Sequence, residues 1–237
     1  MRVGIAGCGL IGGSLALALR PAHDVRAFDP AGTGDIPSVM RAEDLLPSDV
    51  VVVATPLDAV VPTLRGLAAG SGRTVLVDVG SLKREVNAFA ASAPEAARIV
   101  GGHPMAGTTE RGYSAARADL FTGRPFFLVP TARSDERSMA VAGDLARAVG
   151  AVPTVVSAAE HDRIVAVLSG LPLLVARALA RVGADVADLA GPGFRDATRL
   201  AKTPPELADA LLRGNAAEIR AALAKLRAAL DEAERAL

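Results

Sequence analysis

Short apolar runs, separated by glycine, proline and polar residues, recur through the first two-thirds of the chain. Continuous runs of this kind are typical of strands that are buried on both faces of a parallel sheet. We predict strands over residues 3–6, 25–28, 49–54, 74–79, 124–129 and 152–156, with a further apolar pair at 99–100. Helical patterns lie between them, over residues 14–19, 58–67, 84–91 and 135–149, and residues 30–37 are predicted to form a loop.

This alternation predicts an α/β fold of the Rossmann type, in which helices cover both faces of a doubly wound parallel sheet. Ligands of such sheets bind outside the carboxyl ends of the strands. Thr55, Ser81 and His103 each fall at or just past a predicted strand end. The sequence therefore places a candidate site along this edge of the sheet.

From residue 157 onward the pattern changes to helices alone. Ser157 and Glu160 form a capping box that opens a long apolar helix. Asn215 and Glu218 are predicted to cap the last helix, after a Gly-Pro-Gly break at 191–193. One apolar stripe follows the last helix: Ile219, Leu223, Leu226 and Leu230.

The change of pattern divides the chain into two predicted domains, residues 1–156 and residues 157–237. The second is a small, alanine-rich, all-α domain, and its helices carry more apolar surface than so few residues can bury among themselves. We therefore expect it to be a dimerisation domain, through which two copies of the chain form a homodimer.

The first strand leads into a turn with three glycines, Gly7-x-Gly9-x-x-Gly12, and then into the first helix. Gly7 allows the tight turn, Gly9 lets the backbone approach a pyrophosphate, and Gly12 lets the helix pack closely on the strand. The amides of the turn and the helix dipole would then face the phosphates. Residues 1–156 are accordingly predicted to be a dinucleotide-binding domain.

Asp29 follows the second strand and lies 29 − 12 = 17 residues after Gly12. A carboxylate that binds the adenosine ribose is expected about 20 residues on. No Arg or Lys follows until Arg41, so nothing nearby would attract a 2′-phosphate, and the sequence favours NAD over NADP. The alternative is a structural glycine turn, with Asp29 as a cap at the end of a strand.

Composition narrows the range of partners. In this chain of 237 residues, 26 Lys and Arg balance 26 Asp and Glu, and aromatic residues make up 3%. Neither nucleic acid nor a membrane is therefore an expected partner. The single cysteine, Cys8, and three histidines form no metal-ligand pattern at a recognisable spacing. We expect a cytoplasmic protein without a metal site, in which Cys8 is a packing residue.

His103, between a glycine and a proline, is predicted to lie in a rigid, open loop at a strand end. The ordinary pKa of histidine suits proton abstraction near neutral pH, and oxidation of an alcohol requires a base for the hydroxyl proton. The alternative is a loop histidine with no catalytic role. His23 is interpreted as a surface residue, and His161 with Asp162 as packing at a helix start.

Several segments together resemble the prephenate/arogenate (cyclohexadienyl) dehydrogenase family, from residue 1 to about residue 205. The His-Pro-Met-Ala-Gly and Phe-Arg-Asp-x-Thr-Arg segments are a highly specific combination. The shared motifs are Gly7-x-Gly9-Leu10-Ile11-Gly12-Gly13-Ser14, Thr55-Pro56, Asp78-Val79-Gly80-Ser81-x-Lys83, Gly102-His103-Pro104-Met105-Ala106-Gly107, Ala118-Asp119-Leu120-Phe121, His161-Asp162 and Gly191-Pro192-Gly193-Phe194-Arg195-Asp196-x-Thr198-Arg199.

The resemblance implies NAD-dependent oxidative decarboxylation of a cyclohexadienyl acid in tyrosine biosynthesis. His103 would take the proton of the ring hydroxyl, and Ser81 would orient that hydroxyl or the imidazole. Arg199 would bind a substrate carboxylate through a charge-assisted contact, and Asp196 would position that arginine. The residues implied at the cofactor are Gly7, Gly9, Leu10, Ile11, Gly12, Asp29, Thr55 and Pro56.

Lys83 belongs to one of these shared motifs, and two interpretations of it stand side by side. In the first, its ammonium group contacts the cofactor or Asp78. In the second, it is a solvated lysine in the first turn of the helix that follows the Ser81 segment.

The chain departs from the family at residues that would line the substrate pocket. Where the family commonly reads Ser-His-Leu-Pro-His, this chain reads Ser169-Gly170-Leu171-Pro172-Leu173, so both histidines are absent. A tryptophan is missing near Ala208, and Thr109 stands where an acidic residue is common. The fold and cofactor predictions survive these changes, whereas prephenate, arogenate and an amino-substituted prephenate all stay open as substrates.

Charge favours one of these substrates. Arogenate carries an ammonium group where prephenate carries a keto group, and removal of a basic imidazole near that end relieves repulsion with the ammonium group. The sequence thus leans toward arogenate or toward use of both acids. The alternatives are a dehydrogenase of an amino-substituted prephenate in secondary metabolism, and a non-catalytic NAD-binding regulator.

Overall fold

The computed structural model describes residues 1–108 and 110–237, and the prediction made for Thr109 lies outside them. The chain forms two compact units, Met1–His161 and Asp162–Leu237. The first unit is built around a β-sheet, and the second contains helices without strands among the described residues. The domain boundary that the sequence places after residue 156 stays a prediction.

Strands and helices alternate through the first unit as the apolar pattern predicts. Its strands are β1 (Arg2–Ala6), β2 (Asp24–Phe28), β3 (Val50–Val53), β4 (Val75–Asp78), β5 (Arg98–Pro104), β6 (Pro125–Pro130) and β7 (Val152–Val155). Its helices are α1 (Leu10–Leu19), α2 (Leu57–Ala68), α3 (Arg84–Ser92) and α4 (Glu136–Ala148), with 3₁₀ turns at Ala42–Leu45 and Tyr113–Ala115. Helix α1 begins at Leu10, earlier than the predicted residue 14.

The sheet has the strand order β2-β1-β3-β4-β5-β6-β7. Strands β1 to β5 are parallel, and the order reverses at β1, which lies between β2 and β3. Strand β6 is antiparallel to β5, and β7 is parallel to β6. The predicted parallel sheet is thus present over β1 to β5, and β6 and β7 run antiparallel to it. The connection from β5 to β6 contains a 3₁₀ turn in place of the crossover helix that a parallel return requires.

Two apolar clusters cover the two faces of the sheet, as expected for a doubly wound fold. Val50 and Val52 of β3 belong to one cluster, together with buried residues of α1 and α4. Val51 and Val53 of the same strand belong to the other, with residues of α2 and α3. Successive residues of a strand point to opposite faces, so a strand buried on both sides reads as an unbroken valine run.

The second unit consists of helices and short helical turns. They are α5 (Ala158–Val165), which begins in the first unit, a π-helical turn (Ala166–Gly170), α6 (Leu171–Val182), a 3₁₀ stretch (Ala184–Leu189), α7 (Pro192–Ala197), a 3₁₀ turn (Arg199–Lys202), α8 (Pro205–Gly214) and α9 (Ala216–Glu234). The predicted cap of α5 is present, because the amide of Glu160 donates to Ser157 Oγ at 3.2 Å.

The predicted cap of α9 by the Asn215 side chain is not formed. Asn215 stands at the N-cap position, but its side chain makes no capping hydrogen bond. Its Nδ2 atom donates instead to the carbonyl of Asp162 at 2.7 Å. The side chain of Asn215 is thus used in a contact with α5, more than fifty residues earlier in the chain, and not in the cap.

Much of the apolar surface of the second unit is exposed. Val167, Leu168, Val175 and Val182 all lie on the π-helical turn and α6, and Leu168 is 61% exposed. The segment Ala158–Val182 has the length and mean hydropathy, 1.8, of a helix that could cross a membrane, and 28% of its apolar window is buried. Core helices of proteins that span no membrane can have the same length and composition.

Candidate active site

The glycine turn between β1 and α1 has the geometry that each glycine predicts. Gly7 has φ +95°, and a Cβ atom on it would lie 2.6 Å from the backbone of Ala54. A Cβ atom on Gly12 would lie 1.8 Å from the carbonyl oxygen of Gly7. Side chains are therefore excluded at both positions. No heavy atom lies within 4 Å of the place where a Cβ of Gly9 would stand, so the backbone there is open to a ligand.

Helix α1 starts directly after this turn, with Gly9 as its N-cap. The amides of Leu10, Ile11 and Gly12 are the first of the helix, and first-turn amides have no partner within a helix. The positive end of the helix dipole adds to the attraction that these amides exert on an anion. The turn thus supplies the donors of a phosphate site.

Asp29, directly after β2, is fixed by the backbone of this turn. Its Oδ2 accepts from the amide of Cys8 at 2.6 Å, and its Oδ1 accepts from the amide of Ala31 at 2.8 Å. Each carboxylate oxygen retains a second lone pair, with which it can accept from a ribose hydroxyl. These contacts fit the ribose role as well as the structural one, and the ribose role stays a prediction.

The Cys8 thiol is a packing group. It is 2% exposed, and its Sγ donates to the carbonyl of Thr33 at 3.7 Å. Burial raises the pKa of this thiol to about 11, and the carboxylates of Asp29 and Asp35 act in the same direction. A thiol that stays protonated is a poor nucleophile.

Thr55 and Pro56 follow β3 and face the switch point of the sheet. Pro56 is the N-cap of α2. Thr55 Oγ1 is buried and has no hydrogen-bond partner among the described residues. A buried hydroxyl in that state is rare in native proteins, and a bound ligand would supply the partner. The open space at Gly9 and this hydroxyl fit a dinucleotide at the carboxyl ends of β1 and β3.

Lys83, the N-cap of α3, is fully buried and pairs with Asp78 at the end of β4. The stem of Lys83 passes over Gly101 of β5, where a Cβ would lie 2.9 Å from its Cδ atom. Burial raises the pKa of the Asp78 carboxyl, and the adjacent ammonium group opposes that rise. Of the two interpretations of Lys83, the contact with Asp78 is confirmed and the solvated lysine is wrong.

His103 lies within β5, one residue before its end, and is 8% exposed. The prediction of an open loop is wrong, because β6 pairs with β5 as far as Pro104 and extends the strand through the histidine. Burial lowers the pKa of His103 well below its usual range, and His161 and the charge of Lys83 lower it further. The imidazole is therefore neutral, and able to accept a proton, at neutral pH.

His161 is the functional candidate that the sequence interpretation missed. It is fully buried, and its Nε2 lies 2.9 Å from Nδ1 of His103. The ring of Phe127 packs edge-on against it, with 5.5 Å between ring centroids. The only signal in the sequence is its place in a shared motif, since 58 residues separate the two histidines.

Gly13 and Ser14 of the glycine motif contact the segment that follows His103. A Cβ on Gly13 would lie 2.8 Å from the ring of Tyr113, and Ser14 Oγ accepts from the amide of Arg117 at 2.9 Å. The Tyr113 hydroxyl also pairs with Asp35. Helix α1 therefore carries the predicted phosphate site at its start and packs against the segment that follows His103.

The remaining predicted site residues are distributed over both units. Ser81 follows β4, on the edge of the sheet that also carries His103, and is half-buried. Asp196 lies in α7 and Arg199 begins the 3₁₀ turn that follows, and both are exposed. Within the described residues these two side chains form no ion pair with each other, so the predicted positioning of Arg199 is not made within one chain. The roles assigned to all three stay predictions.

Two departures from the family are buried in the second unit. A Cβ on Gly170 would lie 2.6 Å from Cδ1 of Ile219, so Ile219 occupies the space of a side chain at residue 170. Leu173 is 3% exposed. Both positions are apolar and closed within this unit.

Comparison with known proteins identifies the family. The prephenate dehydrogenase nucleotide-binding domain matches residues 31–155, and the prephenate dehydrogenase dimerization domain matches residues 157–237. The chain belongs to the prephenate dehydrogenase family. The first unit thus carries the nucleotide-binding domain of this family, and the predictions of the family and of a Rossmann-type fold with a helical dimerisation domain are confirmed.

Individual relatives agree with this assignment. Prephenate dehydrogenase of Bacillus subtilis is 31% identical over 226 residues, which cover 86% of this chain and 61% of that protein. The chain therefore spans about three-fifths of the length of this relative.

Two solved structures resemble the chain over nearly all of its length. One is prephenate dehydrogenase from Aquifex aeolicus in complex with hydroxyphenyl propionate and NAD+, with TM-score 0.88, 25% identity and coverage of 99% of this chain and 90% of that one. The other is Synechocystis arogenate dehydrogenase, with TM-score 0.83, 28% identity and coverage of 98% and 90%.

Proposed function

We propose that this protein catalyses the NAD-dependent oxidative decarboxylation of prephenate, arogenate or both, in tyrosine biosynthesis. The observation that carries the proposal is the neutral, buried imidazole of His103 on the sheet edge that also holds the glycine turn. Relatives with prephenate and arogenate dehydrogenase names support the reaction class.

NAD is the proposed cofactor. Gly7, Gly9 and the first amides of α1 would hold its pyrophosphate, and Thr55 and Pro56 would contact it at the end of β3. Asp29 would accept from the ribose hydroxyls. The loop after Asp29 contains no cationic side chain before Arg41, and the nearby Arg20 is paired with Asp35, so no unpaired cation from these residues favours the 2′-phosphate of NADP. The NAD+ complex of the Aquifex relative supports this choice.

His103 acts as the general base. A neutral imidazole can take the proton of the ring hydroxyl, and its low pKa keeps it in that state across the neutral range. NAD, when bound, would supply the hydride acceptor for the same carbon, and loss of the ring carboxylate as CO2 would leave an aromatic product. Ser81, on the neighbouring strand end, orients the hydroxyl or the imidazole.

Arg199 binds a carboxylate of the substrate, because a guanidinium offers two parallel N–H donors to such a group. We place Asp196 beside it, from the partner subunit. Supporting evidence is that both side chains are exposed and make no ion pair with each other within the described part of one chain.

We place the homodimer contact on the second unit. Val167, Leu168, Val175 and Val182 expose a run of large apolar side chains on α6 and the turn before it, and burial of such a run is the main driving force of association. The match to a dimerization domain supports the assignment. The expected cytoplasmic location and the expected lack of nucleic-acid and membrane partners stay predictions.

Arogenate is favoured over prephenate by the apolar residues at 170 and 173. Leu173 is buried, and Ile219 fills the space beside Gly170, so no cation from these positions opposes the ammonium group of arogenate.

The test is NADH formation from prephenate and arogenate, measured side by side for the wild-type protein and for His103→Asn. We expect turnover with at least one acid, with the higher kcat/KM for arogenate, and a fall in kcat of roughly 10²–10⁴-fold in the variant, since a general base contributes about that much. NAD affinity is expected to be unchanged. NAD binding without NADH formation from either acid would indicate the regulator instead, and turnover confined to an amino-substituted prephenate would indicate secondary metabolism.

A further inference from the structure

The contact between His103 and His161 is short and closed to water. Nδ1 of His103 and Nε2 of His161 are 2.9 Å apart, and the two rings meet at 63°. His161 is held in place by its own helix start, where its amide donates to the carbonyl of Ser157 at 2.8 Å. Phe127, opposite His103 on β6, packs against the far ring.

Two nitrogen atoms at this distance share one proton. A neutral imidazole carries one N–H donor and one acceptor nitrogen, so only two arrangements are available. If His161 donates, His103 accepts at Nδ1 and must carry its own proton on Nε2. If His103 donates from Nδ1, its Nε2 is unprotonated. The second arrangement alone gives His103 a basic nitrogen that is not already engaged with His161.

The surroundings of His103 disfavour a positive charge on its ring. Lys83, from the start of α3, brings a positive charge near His103, and Asp78 of β4 is already paired with that ammonium group. His161 itself faces His103 from α5. A second proton on the ring of His103 would be buried near a cation, which is unfavourable.

We propose that His161 is a positioning residue, which accepts the Nδ1 proton of His103 and thereby keeps Nε2 of His103 unprotonated and oriented toward the substrate hydroxyl. This inference rests on the proposed function, because it assigns the base within that reaction. The inference extends the proposed function to His161, a residue that acts through His103 and needs no contact with the substrate.

The proton balance of the reaction is complete with this arrangement. Nε2 of His103 takes the hydroxyl proton as the C–H bond breaks and its electron pair goes to the nicotinamide. The bond to Nδ1 of His103 then becomes charge-assisted, which stabilises the imidazolium. When the C–C bond to the carboxylate breaks, the ring oxygen gains electrons and recovers the proton from Nε2. His161 keeps its own proton on Nδ1 throughout.

The experiment compares His161→Leu with His161→Gln in the full-length protein. Leucine removes the acceptor and keeps an apolar side chain, whereas the amide oxygen of glutamine lies about where Nε2 of histidine does. We expect kcat to fall about 10²-fold in His161→Leu and to recover at least tenfold in His161→Gln, with NAD affinity and Tm close to wild type. His23→Gln, which removes an imidazole far from this pair in the sequence, is the control and should retain most of the activity.

A second readout separates positioning from packing. The ¹⁵N chemical shifts of the His103 ring report which nitrogen carries the proton, and they need neither substrate nor turnover. We expect the Nδ1–H form in wild type and in His161→Gln, and the Nε2–H form in His161→Leu. An Nε2–H form in wild type, or kcat in His161→Leu equal to wild type, would overturn the inference. Absence of NADH formation by wild type would overturn the proposed function, while the chemical shifts would still test the hydrogen bond.

Discussion

The two units of the chain differ in how completely they bury their apolar side chains. In the first, helices cover the apolar residues at the centre of both sheet faces, and the valines of β3 are fully buried, whereas Val152 and Val155 of the edge strand β7 are 54% and 62% exposed. In the second, Leu168 is 61% exposed and Val182 78% exposed, and both lie in the apolar segment Ala158–Val182. The first unit therefore buries an apolar core of its own, and the second presents an apolar surface that another chain would cover.

The difference extends to the chemistry. The described polar groups that the sequence predicts to hold the cofactor and to move a proton belong to the first unit, and they are fixed by buried contacts such as those of Asp29 and His103. Arg199 and Asp196, predicted to bind substrate, are exposed on the second. Cofactor binding is thus expected to depend on one chain, and substrate binding on the assembled dimer.

The largest expected effect tests the closed interior of the first unit. Lys83→Met leaves the Asp78 carboxylate buried without its cation, and loss of one partner of a buried ion pair typically costs about 3–5 kcal/mol of unfolding free energy. Arg84→Met, one residue on and exposed, is the matched control, with an expected change within about 0.5 kcal/mol. Urea denaturation of both variants measures the difference. Equal changes of unfolding free energy in Lys83→Met and Arg84→Met would mean that the buried ion pair does not stabilise the first unit.

An intermediate effect tests the exposed surface of the second unit. Leu168→Glu places a charge in the proposed dimer contact, and a two-fold interface repeats it on both sides, so we expect the dimer to dissociate about 100-fold more readily. Sedimentation velocity over a concentration series measures this. Met40→Glu alters an equally exposed apolar residue of the first unit, 88% exposed, and should leave the dimer intact.

The outcome that would contradict the comparison is an unchanged dimer in Leu168→Glu. NAD affinity offers an internal check, because we expect it to survive dissociation while turnover falls. Loss of NAD affinity on dissociation would mean that the first unit does not hold the cofactor by itself.

The smallest effect is a pH dependence of stability that His103 contributes. Its pKa is lowered in the folded state, so the unfolded chain binds the proton more readily. As pH falls below the ordinary histidine pKa of about 6.5, unfolding is favoured, with a slope of up to about 1.4 kcal/mol per pH unit. Urea titrations between pH 7 and pH 5.5 should show a steeper loss for wild type than for His103→Asn. Parallel curves of unfolding free energy against pH for the two proteins would show that folding does not shift the pKa of His103.

Local features of the sequence determined the fold class and the predicted position of the cofactor site. The glycines at residues 7 and 12 are required by backbone geometry within a few residues, and the unbroken valine run of β3 predicts a strand that is buried on both faces. The family motifs added Ser81, His103 and Arg199 as candidates. These conclusions needed no knowledge of which strands are neighbours.

Only the tertiary structure decided the contacts between distant segments. The antiparallel β6 extends β5 through His103 and buries it, and α5 brings His161 to the same imidazole from 58 residues away. Burial likewise selects the Asp78 contact for Lys83, where a helix start alone equally favours a solvated side chain. Periodicity and turn chemistry act over a few residues, whereas the pairing of buried polar groups depends on sheet order and loop paths, which no short stretch of sequence specifies.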